Sequence, residues 1–157
     1  MIRFLDKETE LHLLEQLFDL LYENMLPIAP SGLPYEEEKR QWLSQVGPAM
    51  EKAPRQIVLM YDAGVLAGYL QYYIYNGIFM VEEVQLRKDC RVSSLFVSLW
   101  KFMSRIIPGD TETIEAYADP RNMLSRKLMG KLGMHPVEDS SCPHLLHFRG
   151  SLKDIRK

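Results

Sequence analysis

The stretch Gln56-Ile57-Val58-Leu59-Met60-Tyr61-Asp62-Ala63-Gly64-Val65-Leu66-Ala67-Gly68-Tyr69-Leu70-Gln71-Tyr72-Tyr73-Ile74-Tyr75-Asn76-Gly77-Ile78-Phe79-Met80-Val81-Glu82-Glu83-Val84-Gln85-Leu86-Arg87 decides the fold. Its apolar, β-branched and aromatic runs are cut twice by turn residues, which predicts three strands at 57–61, 65–75 and 78–87. Asn76-Gly77 is the stronger punctuation, because a type I′ turn needs positive φ at both central residues and Asn and Gly tolerate it. The third strand therefore returns antiparallel to the second.

On the N-terminal side, after a short extended start at 2–5, Leu11, Leu13, Leu14, Leu17, Phe18, Leu21 and Tyr22 recur at helical spacing, the signature of an amphipathic helix. Pro27, Pro30, Gly32 and Pro34 break it. A second, shorter helix is expected from the solvated run Glu36-Glu37-Glu38-Lys39-Arg40 through Trp42, Leu43 and Val46, stopping before Gly47-Pro48. On the C-terminal side, Leu95, Val97, Leu99, Trp100, Met103 and Ile106 read as a largely buried helix, opened by Ser93 or Ser94 and stopped at Pro108-Gly109. A strand at 113–118 follows. Asp119-Pro120 reads as a cap with Pro in the first helical position, 122–132 as a helix ended by Gly133, and 134–137 and 145–149 as two weak strands.

This order predicts one domain over 1–157, an α/β (α+β) fold with helices on both sides of a mixed sheet. The strands at 78–87 and 113–118, joined by a crossover helix, should be parallel neighbours that splay apart toward Arg87 and Asp119, where open sheets bind ligands.

The chain has 157 residues, 46% of them hydrophobic and 25% charged, which describes a globular protein rather than a disordered or fibrous one. With 19 Lys and Arg against 21 Asp and Glu, the net charge of -2 sets up no field for a polyanion, so nucleic acid is not expected as a partner. No apolar run reaches the roughly 18 residues of a membrane span, and Met1 to Asp6 lacks the apolar core of a signal peptide. The expected location is cytoplasmic, without membrane contact. Cys90 and Cys142 are too few for a disulfide framework. Cys142, His144 and His147, with His135, do not make a metal site either: on a strand His144 and His147 would point to opposite faces.

Two segments carry a family resemblance. Val84-Gln85-Leu86-Arg87-Lys88-Asp89-Cys90-Arg91-Val92-Ser93-Ser94-Leu95-Phe96 follows the spacing of L-x-V-x-P-x-x-R-G-x-G-I-G, with Val84 and Leu86 as the apolar pair and Arg91 as the Arg. Asn122-Met123-Leu124-Ser125-Arg126-Lys127-Leu128-Met129-Gly130-Lys131-Leu132-Gly133-Met134 is similar to N-x-x-A-x-x-L-Y-E-K-L-G-F, matching at Asn122, Leu128, Lys131, Leu132 and Gly133. Over 56–137 the chain thus resembles the acetyl-CoA-dependent GNAT acyltransferase superfamily.

That resemblance implies a mixed, mostly antiparallel central sheet flanked by helices, and transfer of an acyl group from acetyl-CoA or another acyl-CoA to an amine of a small molecule or peptide. It implies that the main chain at Val84, Gln85 and Leu86 holds the pantetheine arm, that the loop Arg91, Val92, Ser93, Ser94, Leu95 and Phe96 holds the pyrophosphate, and that Asn122 faces the cofactor or caps its helix. Main-chain N–H groups entering a helix can converge on such an anion. Here Val92, Ser94 and Phe96 stand where the family has glycines, so Cβ atoms occupy space usually left for phosphate oxygens. Arg91 and the Ser hydroxyls are the available compensation.

Met129 stands where the family often has a Tyr that reprotonates the leaving thiolate. For the base, Glu82 and Glu83 are the candidates. Strand alternation puts Glu82 with Met80, Val84 and Leu86, and Glu83 with Phe79, Val81 and Gln85, so the more apolar setting favours Glu82; a structural ion pair is the alternative. Tyr69, Tyr72, Tyr73 and Tyr75 read as half-buried strand residues, with a substrate wall or a homodimer contact as the alternative. The missing glycines and Met129 leave a second functional reading, a catalytically lapsed domain that binds a ligand or a protein through the same cleft.

Overall fold

The computed structural model describes residues 1–52, 54–91, 94–138 and 141–155. The chain forms β1 (Ile2–Phe4), α1 (Leu14–Met25), α2 (Tyr35–Glu51), β2 (Gln56–Asp62), β3 (Val65–Tyr75), β4 (Ile78–Leu86), α3 (Leu95–Ile106), β5 (Thr113–Ala118), α4 (Met123–Lys131), β6 (His135–Val137), β7 (Leu146–Ser151) and α5 (Leu152–Ile155). The strands make one sheet in the order β1-β2-β3-β4-β5-β7-β6. Every pairing is antiparallel except β4 with β5.

The meander forms as its turn residues dictate. Asn76 and Gly77 have φ of 49° and 75°, the paired positive values of a type I′ turn, and Ala63 and Gly64 repeat the pattern at 50° and 79°. Glycine is required for a different reason at Gly68 on β3. A Cβ there would run into the Gln85 carbonyl oxygen and stand 2.8 Å from Leu86 Cδ2, so the two strands close only over a missing side chain.

Alternation along the strands divides the core into two layers. Val58, Met60, Leu70, Tyr72 and Phe79 face α3 and α4, joined by Ile114, Ala116 and Phe148 from the far strands. Ile57, Leu59 and Tyr69 point the other way and pack under α1 and α2 against Leu14, Leu17, Leu20, Val46 and Met50. Sheet and helices therefore bury both faces of the meander.

Three expectations require correction. The second helix does not stop at Gly47-Pro48 but runs through Pro48 to Glu51. Val46 and Met50, four residues apart and both buried, hold that last turn on the core and outweigh the hydrogen bond that Pro48 cannot donate. The crossover helix α3 is not largely buried: only Leu99 and Met103 are, and Val97 is 54% exposed. Phe96 and Trp100 face an open cleft, while Phe102 packs edge-on against Phe4 of β1. Finally, the cap of α4 is Asn122, whose Oδ1 accepts from Ser125 N at 3.1 Å, while Asp119 accepts from Arg121 N one turn earlier.

Candidate active site

β4 and β5 pair only from Ile78–Thr113 to Val81–Ala116. Beyond that point β4 continues for five residues and β5 for two without pairing to each other, and the expected splay opens between them. Strand chemistry says what this exposes. Arg87 N donates to Ala67 O on β3 at 2.8 Å, so the preceding main-chain groups, which alternate along a strand, turn the Leu86 and Val84 N–H and C=O away from β3 and into the gap. The Leu86 carbonyl is met there by Asn24 Nδ2 of α1 at 2.8 Å. A cleft of about 1130 Å³, its open mouth included, occupies the gap.

The register of β3 on β4 slips at this place: Gln71 opposes Glu83, but Tyr72 opposes Val81. Glu82 is the extra residue of a β-bulge, and past it the side chains reverse sides. Phe79 and Val81 before the bulge, and Val84 and Leu86 after it, belong to the layer under α3 and α4. Met80, Glu83 and Gln85 oppose Tyr73, Gln71 and Tyr69 on the α1/α2 side. This corrects the strand-parity argument: Glu82 does not share an apolar face with Val84 and Leu86. Its Oε1 is held by Arg55 Nε at 2.9 Å and lies 3.4 Å from Gln71 Nε2, with the Arg55 guanidinium over the Tyr73 ring. The Glu82 carboxylate is thus committed to an ion pair with Arg55.

Glu83 has the setting that the sequence argument assigned to its neighbour. It lines the cleft, half-buried, and its Oε1 accepts from Gln85 Nε2 at 2.7 Å. Burial, only partly offset by the Gln85 hydrogen bond, pushes its carboxyl up to about 7, with the Glu82 charge adding to the rise. A carboxylate that takes a proton near neutrality and faces a cleft is poised for general-base work. Behind it the Tyr69 hydroxyl is fully buried with no hydrogen-bond partner among the described residues.

The opposite wall comes from α3 and α4. Phe96, Leu99, Trp100 and Met103 line it from α3, and Leu124, Ser125, Leu128 and Met129 from α4. Arg91, four residues ahead of the start of α3, also lines the cleft. Asn122 does both of its expected jobs, capping α4 through Oδ1 while lining the cleft. Of the expected cofactor-binding residues, Val84, Gln85, Leu86, Arg91, Phe96 and Asn122 lie on the cleft, Ser94 and Leu95 are not among its lining residues, and Val92 and Ser93 fall outside the described residues. Met129 lies on the wall and has no proton to give. The hydroxyls among the described lining residues are those of Tyr117 and Ser125.

Sequence reasoning missed Asn24 and Tyr117. Asn24 carried a signal, since it falls four residues after Leu20 and seven after Leu17, which puts an amide on the buried stripe of α1. Tyr117 carried none, because nothing in 113–118 tells that the pairing of β5 with β4 ends at Ala116.

No protein-family model matches the sequence, and no curated protein does. Solved structures do. The PaiA N-acetyltransferase of Thermoplasma acidophilum, solved with coenzyme A, is 13% identical with a TM-score of 0.69 over 96% of this chain and 98% of that one. A GNAT-family acetyltransferase of Staphylococcus aureus Mu50 is 11% identical, TM-score 0.71, over 97% and 99%. An aminoglycoside 6'-N-acetyltransferase complexed with coenzyme A is 14% identical, TM-score 0.66, over 97% of both. Likeness at such identities is likeness of fold. The chain has the GNAT acyl-CoA N-acyltransferase fold, with its parallel pair and splay in the middle of a mostly antiparallel sheet.

Proposed function

We propose that the protein is an N-acyltransferase that moves an acetyl or other acyl group from acyl-CoA to an amine of a small molecule or peptide. The observation that carries this reading is the coincidence, in one cleft, of β4 main chain at Val84 and Leu86 that pairs with no strand across the gap and a carboxyl, Glu83, whose pKa is raised to about 7. Two similar folds were solved with coenzyme A, and one of them is an aminoglycoside acetyltransferase. The expectation of one domain over 1–157 is kept in this reading, as is a cytoplasmic site of action.

The residues fit the co-substrate. Val84 and Leu86 present peptide donors and acceptors for the amides of a pantetheine arm laid along β4 as a missing strand. Arg91 and the first turn of α3 supply positive charge for a pyrophosphate at the mouth. The acceptor amine reaches the base as an ammonium, and Glu83 takes its proton so that the free lone pair can attack the thioester carbonyl. Collapse of the tetrahedral adduct then breaks the C–S bond, and the surplus proton on the attacking nitrogen leaves to solvent as the amide forms. With Met129 at the family's tyrosine position, the leaving thiolate is reprotonated by solvent or by the Tyr117 hydroxyl across the gap.

Met129 also favours the second reading, a lapsed domain that retains the cleft as a binding site. Calorimetric titration with CoA and acetyl-CoA separates the two. Micromolar binding, followed by amine-dependent thiol release with acetyl-CoA, supports the transferase; no binding at millimolar ligand overturns it.

A further inference from the structure

We propose that α1 positions the base and sets its charge through a one-way relay of amides, Leu86 O to Asn24 to Gln85 to Glu83, with Asn24 and Gln85 acting as positioning residues. This deepens the acyltransferase reading and rests on it for the role of Glu83.

The direction of the relay follows from its anchor. A main-chain carbonyl can only accept, so the Asn24 group 2.8 Å from Leu86 O is its NH₂. That same Nδ2 lies 2.9 Å from the Gln85 side chain, which must therefore present its oxygen. Having turned its oxygen to α1, Gln85 has only its NH₂ to offer Glu83, 2.7 Å away. Glu83 must accept, and an ionised carboxylate accepts better than a carboxylic acid. Both amides are buried, Asn24 at 2% and Gln85 at 6% exposure, so water does not compete for either orientation. Solvent thus has no part in deciding which way Gln85 points, and the peptide carbonyl of β4 decides it.

The relay works against its surroundings. Burial and the neighbouring Glu82 favour protonated Glu83, whereas the Gln85 donor and the Val84 N–H favour the anion. The ionisable groups that bear on Glu83 are Glu82 on its own strand, paired to Arg55, and the buried Tyr69 of β3. From α1 it is met by an amide chain alone, and Tyr117 of β5 lines the same cleft across the gap. Asn24 also touches the stretch of β4 that would hold the acyl-CoA arm, so the group that orients the base is seated on the strand that seats the substrate.

The test is direct titration of Glu83 by ¹³C NMR on protein labelled at the Glu carboxyl carbon, with Glu83→Gln identifying the resonance. Gln85→Met keeps the volume and removes the donor, and the Glu83 midpoint should rise by about one to two pH units, the worth of one hydrogen bond to a charged group. Asn24→Asp offers an acceptor in place of the donor. Gln85 should turn over and point its oxygen at Glu83, and the midpoint should rise by a similar amount although Gln85 itself is intact. If Asn24→Asp does not fold, Asn24→Ala should raise the midpoint in the same direction by less. A rise in Gln85→Met without one in the Asn24 variants would overturn the relay, and so would an unmoved midpoint in Gln85→Met. The titration needs no turnover, so absent CoA binding refutes the transferase without touching the relay. With turnover, the acid limb of kcat/KM should move with the NMR midpoint.

Discussion

Replacing Glu83 by Gln should make the protein more stable and less active, and the gain in stability should depend on pH. The wild-type carboxyl is raised from 4.5 to about 7 in the folded protein. The folded state therefore binds this proton more tightly than the unfolded one, and the resulting stability is complete below pH 4.5 and lost as pH rises through about 7. A rise of that size corresponds to about 3 kcal/mol at most, less where solvent entering the cleft softens the burial. Glutamine has no such proton to lose. Against wild type, the Glu83→Gln protein should show a stability advantage that grows by about 1–3 kcal/mol between pH 4.5 and 8. Urea unfolding followed by circular dichroism across that window measures it. In parallel, amine-dependent thiol release from acetyl-CoA should fall about 10²-fold or more, the usual worth of a positioned base. Parallel stability curves for the two proteins would show that Glu83 is not a desolvated carboxyl, and the argument for it as a base would fail.

Glu82→Gln is the control, since its carboxylate is committed to Arg55: turnover should stay within a few-fold of wild type and stability should drop by about 1 kcal/mol or less, whereas a loss of turnover matching Glu83→Gln would return the role to Glu82. Arg91→Ala should weaken CoA binding by about 10- to 150-fold if one charge-assisted contact is lost, read by calorimetry; unchanged affinity at an unchanged Tm would remove the phosphate role. Gly68→Ala should cost about 1–3 kcal/mol, because its Cβ meets the Gln85 carbonyl and forces β3 from β4; a Tm equal to wild type would show that the strands have room to part.

The sequence was legible where local chemistry decides structure. Asn76-Gly77 specified its turn outright, the period-two runs specified the meander, and the crossover helix with its flanking strands specified the parallel pair and its splay. Legibility failed where tertiary contact overrides local preference. Pro48 stays helical because Met50 is anchored in the core, and the slip between Gln71 and Tyr72 depends on how two strands dock rather than on either one. That slip reversed the preference between two adjacent glutamates, since a one-residue insertion exchanges the faces of everything after it. Both carboxylates were visible as candidates from their position on β4, but which one met the cation was not.

The short seam between β4 and β5 has a mechanical meaning. The four residue pairs Ile78–Thr113 to Val81–Ala116, with Gly77 O accepting from Glu112 N and Thr113 N at their lower end, form a short backbone seam between the half-sheet β1–β4 and the half-sheet β5–β7. A zipper stitched only at its lower end leaves the free edges to breathe, and the amides near Tyr117 and Ala118 are protected on one side alone, by β7. Any molecule that fills the gap and bonds to both edges acts as a rivet between the halves, so its arrival is felt across the whole of β5 to β7 as slowed hydrogen exchange, well beyond the atoms that it touches.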